Sequence, residues 1–202
     1  MPVPLTISQD TPHPLAPRLG GNALIGGVTP WPHSPSGQPL VLAASLPAAF
    51  LAEHAGIAIG AGRVASVFTT YAPGRYFLDE ITYCGDPADL ALLRSGTTQV
   101  LVHAPGTLVQ GTLALPAYGL HARRDGDGDG DALSFIGGDP QWLQNEDLEL
   151  NGLTFAWQID GGDLPKPLRD LFFLADGVGY LYLPALATEG IDRSGLFFVQ
   201  VT

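Results

Sequence analysis

Asp125-Gly126-Asp127-Gly128-Asp129-Gly130-Asp131 sets four carboxylates at alternate positions, the densest grouping of potential ligands in the chain. An EF-hand offers calcium carboxylate oxygens at loop positions 1, 3 and 5, a Gly at 6 and a bidentate Glu at 12. Counted from Asp125, the three acids and Gly130 fit, but position 12 is Ile136, and the flanks read as strands and turns, not helices. Three readings stay open: a weak cation site, a contact for a basic partner and a solvated loop. Asn145-Glu146-Asp147-Leu148-Glu149 is a second acidic cluster just beyond Trp142, either an exposed turn or part of the same partner surface. The two clusters flank Gly137 to Trp142. Asp125, Asp127, Asp129, Asp131, Glu146, Asp147 and Glu149 are therefore the candidate partner-binding residues, a set of charges able to mimic a phosphate backbone.

Other constellations carry less chemistry. Gly60-Ala61-Gly62-Arg63-Val64-Ala65 matches a relaxed G-x-G-x-x-A fingerprint. That motif needs a helix immediately afterwards to hold a pyrophosphate. Val64 to Tyr71 favours β structure, so the glycines are expected in a hairpin turn. His13, His33, His54, His103 and His121 lack the close spacing of a zinc site. The single Cys84 has no nucleophile signature around it, and neither a G-x-S-x-G elbow nor a P-loop occurs. Trp31, Trp142 and Trp157 are expected as core aromatics. No cofactor and no metal are assigned, and the chain is read as a protein without enzymatic activity.

Charge sharpens the partner reading. The formal net charge is -11, and it is unevenly spread: residues 1–120 hold 6 acids against 4 Lys or Arg, residues 121–202 hold 14 against 5. Such a surface repels nucleic acid and attracts a basic partner. No stretch is long and apolar enough for a membrane span. The lone cysteine and the absence of a signal segment point to a cytoplasmic protein.

The elements that must position these residues occur twice. Gly26-Gly27 and Trp31 return as Gly137-Gly138 and Trp142 at a spacing of 111. Leu40 to Leu46 returns as Leu153 to Ile159, and Val64 to Thr70 as Gly177 to Leu183, both at 113. The expected fold is α+β and mostly β, an internal duplication of a strand–helix–strand unit packed as one compact body. One domain spans 1–202: copy one at about 19–115, an acidic loop at 121–134 and copy two at 135–202. Strands are expected over Leu40–Leu46, Val64–Tyr71, Tyr76–Leu78, Gln99–His103, Thr107–Leu115, Leu153–Ile159, Val178–Leu183 and Leu196–Val201. A helix capped by Ser45 should run from Ala48 to Glu53, a second over Pro87–Leu93, and a broken helical turn over Leu164–Leu174. Pro2, Pro4, Pro12, Pro14 and Pro17 make the first 20 residues an irregular arm.

The pattern Gly137-Gly138-x-Pro140-x-Trp142-Leu143-Gln144, then Leu153-x-Phe155-x-x-Gln158-Ile159-Asp160 and Gly179-Tyr180-Leu181-Tyr182-Leu183, resembles the YwqG-like family. Gly26-Gly27 to Trp31-Pro32 and Gln38-Pro39-Leu40 resemble that family's opening. Ala44-Ser45 departs from it, standing where the family usually has a Gln and an apolar residue. The resemblance spans roughly residues 19–201. It implies a duplicated α+β fold around mixed β-sheets and brings no catalytic residues. Members of such families occur as immunity proteins beside secreted bacterial toxins. The functional expectation is therefore an immunity protein that binds and blocks a toxin with a basic active-site cleft, a nuclease above all. The alternative is a small-molecule or calcium-binding module, or a hydrolase of unknown type, using a cleft between the copies.

Overall fold

Runs of β-branched and aromatic residues, broken every few positions by Gly and Pro, build twelve short strands and little helix among the described residues. In chain order the strands are β1 (Val3–Ser8), β2 (Arg18–Leu19), β3 (Ala23–Gly26), β4 (Val41–Pro47), β5 (Val64–Thr69), β6 (Thr98–His103), β7 (Thr107–Val109), β8 (Tyr118–Ala122), β9 (Phe135–Ile136), β10 (Leu153–Asp160), β11 (Val178–Pro184) and β12 (Leu196–Gln200). The helices are α1 (Ala48–His54) and α2 (Pro87–Leu92). This computed structural model describes residues 1–123, 133–144, 148, 150–185 and 189–202. No helix among them is long and apolar enough to cross a membrane.

Ten strands form one sheet in the order β12-β11-β10-β9-β1-β8-β2-β4-β5-β6, and β3 pairs separately with β7. Every ladder between the described strands is antiparallel, where the family resemblance implied mixed sheets. The two end strands meet. Val102 and Asp192 exchange backbone bonds of 2.9 Å in both directions, and Thr98 Oγ1 donates to the Phe197 carbonyl at 2.8 Å. A Cβ on Gly195 would lie 2.6 Å from Val100 Cγ1, so a residue without one is needed where the edges approach.

The sheet reads alike from either end. At its centre β1 pairs β8, with Leu5 opposite Ala122, Thr6 opposite His121 and Ile7 opposite Leu120. Outward lie the two-residue strands β2 and β9, each followed by two left-handed glycines, Gly20 and Gly21 (φ 63° and 82°) and Gly137 and Gly138 (both 73°). Next come β4 and β10, whose registers with β5 and β11 skip Ala43 and Ala156. A bulge takes its carbonyl out of the ladder, and a buried carbonyl needs a donor. Gly20 N–H donates to Ala43 O at 2.9 Å, and Gly137 N–H donates to Ala156 O at 2.8 Å.

This geometry corrects the register read from sequence. The structural counterpart of Gly137-Gly138 is Gly20-Gly21, because those glycines feed the bulge; Gly26-Gly27 lies at the end of β3 instead. In β5 and β11 the matched residues are Phe68 and Tyr182, which face Leu42 and Phe155. The expected pairing of Phe68 with Leu181 is off by one residue, and such a slip exchanges the two faces of a strand.

The wrapped sheet encloses one core. Val41, Ala43, Leu46, Val67 and Val102 from one half meet Trp157, Ile159, Leu181, Phe197 and Val199 from the other, with α1 adding Ala48, Phe50 and Leu51. Each half also carries a smaller apolar cluster. Leu40, Leu42, Phe68 and Leu101 pack with Ala23 and Ile25 of β3, and Trp31 meets Phe68 edge-on at 5.4 Å. Phe155, Tyr180, Tyr182 and Phe198 pack with Phe135, Leu150, Tyr83 and Leu93.

Several local expectations give way. The first 20 residues are not an arm, since β1 sits at the middle of the sheet. Its alternation of Val3, Leu5 and Ile7 with Pro4, Thr6 and Ser8 is a strand signal that the prolines mask. Tyr76–Leu78 is not a strand; Leu78–Glu80 forms a 3-10 turn. Only Thr107–Val109 of the expected Thr107–Leu115 strand forms. Ser45 belongs to β4, and Pro47 occupies the N-cap of α1 without a side-chain bond. The second half has 3-10 turns at Gly161–Asp163 and Lys166–Leu168 where α1 lies in the first.

The bulge–glycine pairs make a stability prediction. A Cβ at Gly20 would sit 2.2 Å from Pro116 O, and one at Gly137 would sit 2.6 Å from His54 O. Gly20→Ala and Gly137→Ala are each expected to cost about 2–4 kcal/mol in urea unfolding. Gly27→Ala, at φ 77° with open space, should cost only about 1 kcal/mol. Equal losses at all three sites would refute this assignment.

Candidate functional site

Three buried polar side chains lie on neighbouring strands beneath the Trp142 segment. Gln158 on β10, Tyr180 on β11 and Gln200 on β12 are at most 1% exposed, so their polar atoms must find partners inside the protein. Gln158 Oε1 accepts from Gln141 N–H at 2.8 Å, and its Nε2 donates to Leu133 O at 2.9 Å. The Tyr180 hydroxyl donates to Gln141 O at 2.7 Å and accepts from Leu143 N–H at 3.2 Å. Gln200 Oε1 accepts from both Leu143 N–H and Gln144 N–H at 3.1 Å. Burial pushes the Tyr180 phenol up to about 12, against a smaller opposing effect of the Leu143 N–H, so it remains a donor.

These bonds fix the backbone on both sides of Trp142. The indole, half-buried, lies over Tyr180 at 5.0 Å and stacks on Tyr182 and Phe198, each at 6.2 Å. The Cys84 thiol donates to Gln144 Oε1 at the end of the same segment. Burial, then the Asp89 carboxylate, pushes that thiol up, so it stays protonated at neutral pH and makes a poor nucleophile.

Asp125, Asp127, Asp129, Asp131, Glu146, Asp147 and Glu149 all lie outside the described residues. Their flanks are described. Leu133 follows the first acidic stretch, and Gln141 to Gln144 precede the second. One side chain, Gln158, is bonded to both flanks. Sequence reasoning used Gln158 and Tyr180 only as marks of resemblance and missed their part as anchors. The missed signal was a glutamine and a tyrosine within otherwise apolar strands.

Of the other motifs, Gly60 and Gly62 have φ of 94° and 70° and lead into β5, a turn and strand and not the helix a pyrophosphate loop needs. His103 and Ser66 are fully buried on β6 and β5. Ser66 Oγ lies 2.9 Å from His103 Nε2, and His103 Nδ1 lies 2.7 Å from Ala104 O. The carbonyl fixes the Nδ1–H tautomer, so Nε2 accepts from the serine. The pair has the contacts of a nucleophile and its base but no exposure to a substrate. A cleft of about 540 Å³ opens beside β6 and β12 where the sheet edges meet, lined by residues of both halves.

No model of a known protein family matches the chain, and no curated protein matches it.

Two measurements test the site. Gln158→Ala leaves Gln141 N–H and Leu133 O without partners and should cost about 2–4 kcal/mol while altering Trp142 fluorescence. Unchanged fluorescence would show that Gln158 does not hold the loop. Burial holds His103 below the usual histidine range against the raising effect of its bond to Ala104 O, with smaller lowering effects from Arg63 and Arg193. The unfolded chain takes up the proton near pH 6.5 and the folded one does not, so stability should fall as pH drops, by up to about 1 kcal/mol between pH 7.5 and 5.5. His103→Gln should flatten that slope; an unchanged slope assigns it elsewhere.

Proposed function

We propose that this protein is an immunity protein of the YwqG-like type, which captures a secreted bacterial toxin with a basic active-site cleft, a nuclease above all, and blocks it. The observation that carries the reading is the pair of hydrogen bonds made by the Gln158 side chain. It holds Leu133, which follows the first acidic stretch, and Gln141, which precedes the second, to one side chain, which supports a reading in which the two stretches act together. That half and its entry loop also hold most of the excess negative charge. A nuclease cleft is basic because it grips phosphates, so clustered acids accelerate capture. A half-buried, backbone-clamped Trp142 is the kind of rigid aromatic anchor that slows dissociation.

The body is also read as an internal duplication with exchanged first strands. The spacings support it: 115 from Leu5 to Leu120, 117 from Gly20 to Gly137, 113 from Ala43 to Ala156 and 114 from Phe68 to Tyr182. In this reading β1 and β8 are equivalent, and each lies beside the other unit's two-residue strand.

Co-expression with the product of the neighbouring gene, which this reading expects to be a toxin, tests the function. Rescue of growth and co-purification are expected; failure of both would overturn the immunity reading. Neutralising the seven acids to Asn or Gln should slow association and flatten its salt dependence, while Trp142→Ala should speed dissociation. An unchanged on-rate after neutralisation would overturn the acidic capture mechanism even where binding persists.

A further inference from the structure

The clearest feature outside the Trp142 face is the cleft between β6 and β12. Its charges run against those of the whole molecule. The chain carries 20 acids and only 9 Lys or Arg, yet the described lining holds Arg94 and Arg193 and no Asp or Glu. Among the described residues, Arg75 is taken up by a carboxylate, that of Glu80. Others serve the backbone: Arg18 donates to Pro14 O and Asn22 O, and Arg63 donates to Val102 O and Gly190 O. Among the described residues neither Arg94 nor Arg193 lies within ion-pair distance of a carboxylate.

Arg193 is nevertheless held in place. Its two terminal nitrogens donate to Gln99 Oε1 at 3.3 Å and Thr29 Oγ1 at 3.0 Å, both neutral acceptors that orient the guanidinium without cancelling its charge. Gln99 is itself fixed by its Nε2 donating to His33 O at 2.9 Å. The nearest acid in sequence, the buried Asp192, accepts from Ser194 N–H and Ser194 Oγ at 2.8 and 2.6 Å. Arg94 stands on the opposite strand's approach, in the turn that Gly96 bends with a φ of 113°. Asn151 and Ser194 add neutral polar groups, and Leu93, Val100, Leu153 and Leu196 an apolar floor. A volume of about 540 Å³ suits a small organic molecule.

We propose that this cleft binds a small anionic molecule, whose carboxylate or phosphate group is clamped between Arg94 and Arg193. A guanidinium meets either group with two parallel donors, and pre-orientation by Gln99 and Thr29 reduces the entropy lost on binding. The site is assembled from both halves of the sheet, so the bound molecule also bridges the seam. It is independent of the acidic capture face and stands whether or not that function holds.

The test is an amide NMR titration of the whole chain with inorganic phosphate and, separately, with succinate, each against sodium chloride of equal ionic strength. Saturable shifts are expected at Gly96, Gly152 and Gly195 with at least one probe. Phosphate alone acting identifies a phosphate-bearing ligand, and succinate alone a carboxylate. Arg94→Gln and Arg193→Gln should each weaken binding about tenfold, and Asn151→Asp, which sets a carboxylate in the cleft, should abolish it. Arg169→Gln, exposed and outside the cleft, should leave it unchanged. Shifts no larger than the salt control with both probes overturn the proposal, as does undiminished binding in the Arg94→Gln, Arg193→Gln double variant with a native-like spectrum.

Discussion

An unpaired strand edge is the constraint from which this architecture follows. Backbone donors and acceptors along a strand must be satisfied by a neighbour or by water, and an open apolar edge recruits wrong partners. Each half of the sheet ends inward in a strand of only two residues, too short to finish an edge. The ladder between β1 and β8 fills the gap between those stubs, and the meeting of β6 with β12 covers the opposite ends. The common core depends on both closures, because its residues come from strands on either side of them.

The two halves of the sheet carry different outer coverings. The first half is roofed by β3 and β7, with Phe68 and Leu42 against Ile25 and a buried serine–histidine bond below. The second is roofed by an irregular segment held by side chains, through Gln158, Tyr180 and Gln200. Ser45 occupies the place of Gln158, and Ser66 that of Tyr180. A short hydroxyl cannot reach an overlying loop as a glutamine or tyrosine can. The first half accordingly covers itself with strands, and the second is free to display a loop.

The long strands were legible because their signal is local. Leu40–Leu46, Val64–Tyr71, Leu153–Ile159 and Val178–Leu183 all lie within two residues of the observed β4, β5, β10 and β11. The helix from Ala48 and the turn at Gly60 were equally clear. The registers were not, because they depend on which glycine meets which carbonyl across the sheet. Two Gly-Gly pairs stand six residues apart in the first half, and composition cannot choose between them; the bulge at Ala43 does. β1 was missed because its partners lie more than a hundred residues away. The polar row under Trp142 was visible residue by residue but not as a set, since its members meet only once β10, β11 and β12 are paired. The cleft at the seam joins residues near 95, 151 and 194, and no spacing rule connects them.

The place of β1 also governs how the chain is made. Val3–Ser8 leaves the ribosome more than a hundred residues before its partners, Tyr118–Ala122 and Phe135–Ile136. Until those partners emerge the strand waits with Val3, Leu5 and Ile7 unaccompanied, in a topology whose distant contacts slow assembly. Pro4 answers that exposure. It withholds a backbone donor from any nascent neighbour that would pair with the strand too early. In the finished sheet nothing is lost, because Pro4 still contributes its carbonyl, which accepts from Arg123 N–H at 2.8 Å. The residue that hides this strand from a reader of the sequence hides it from the growing chain as well.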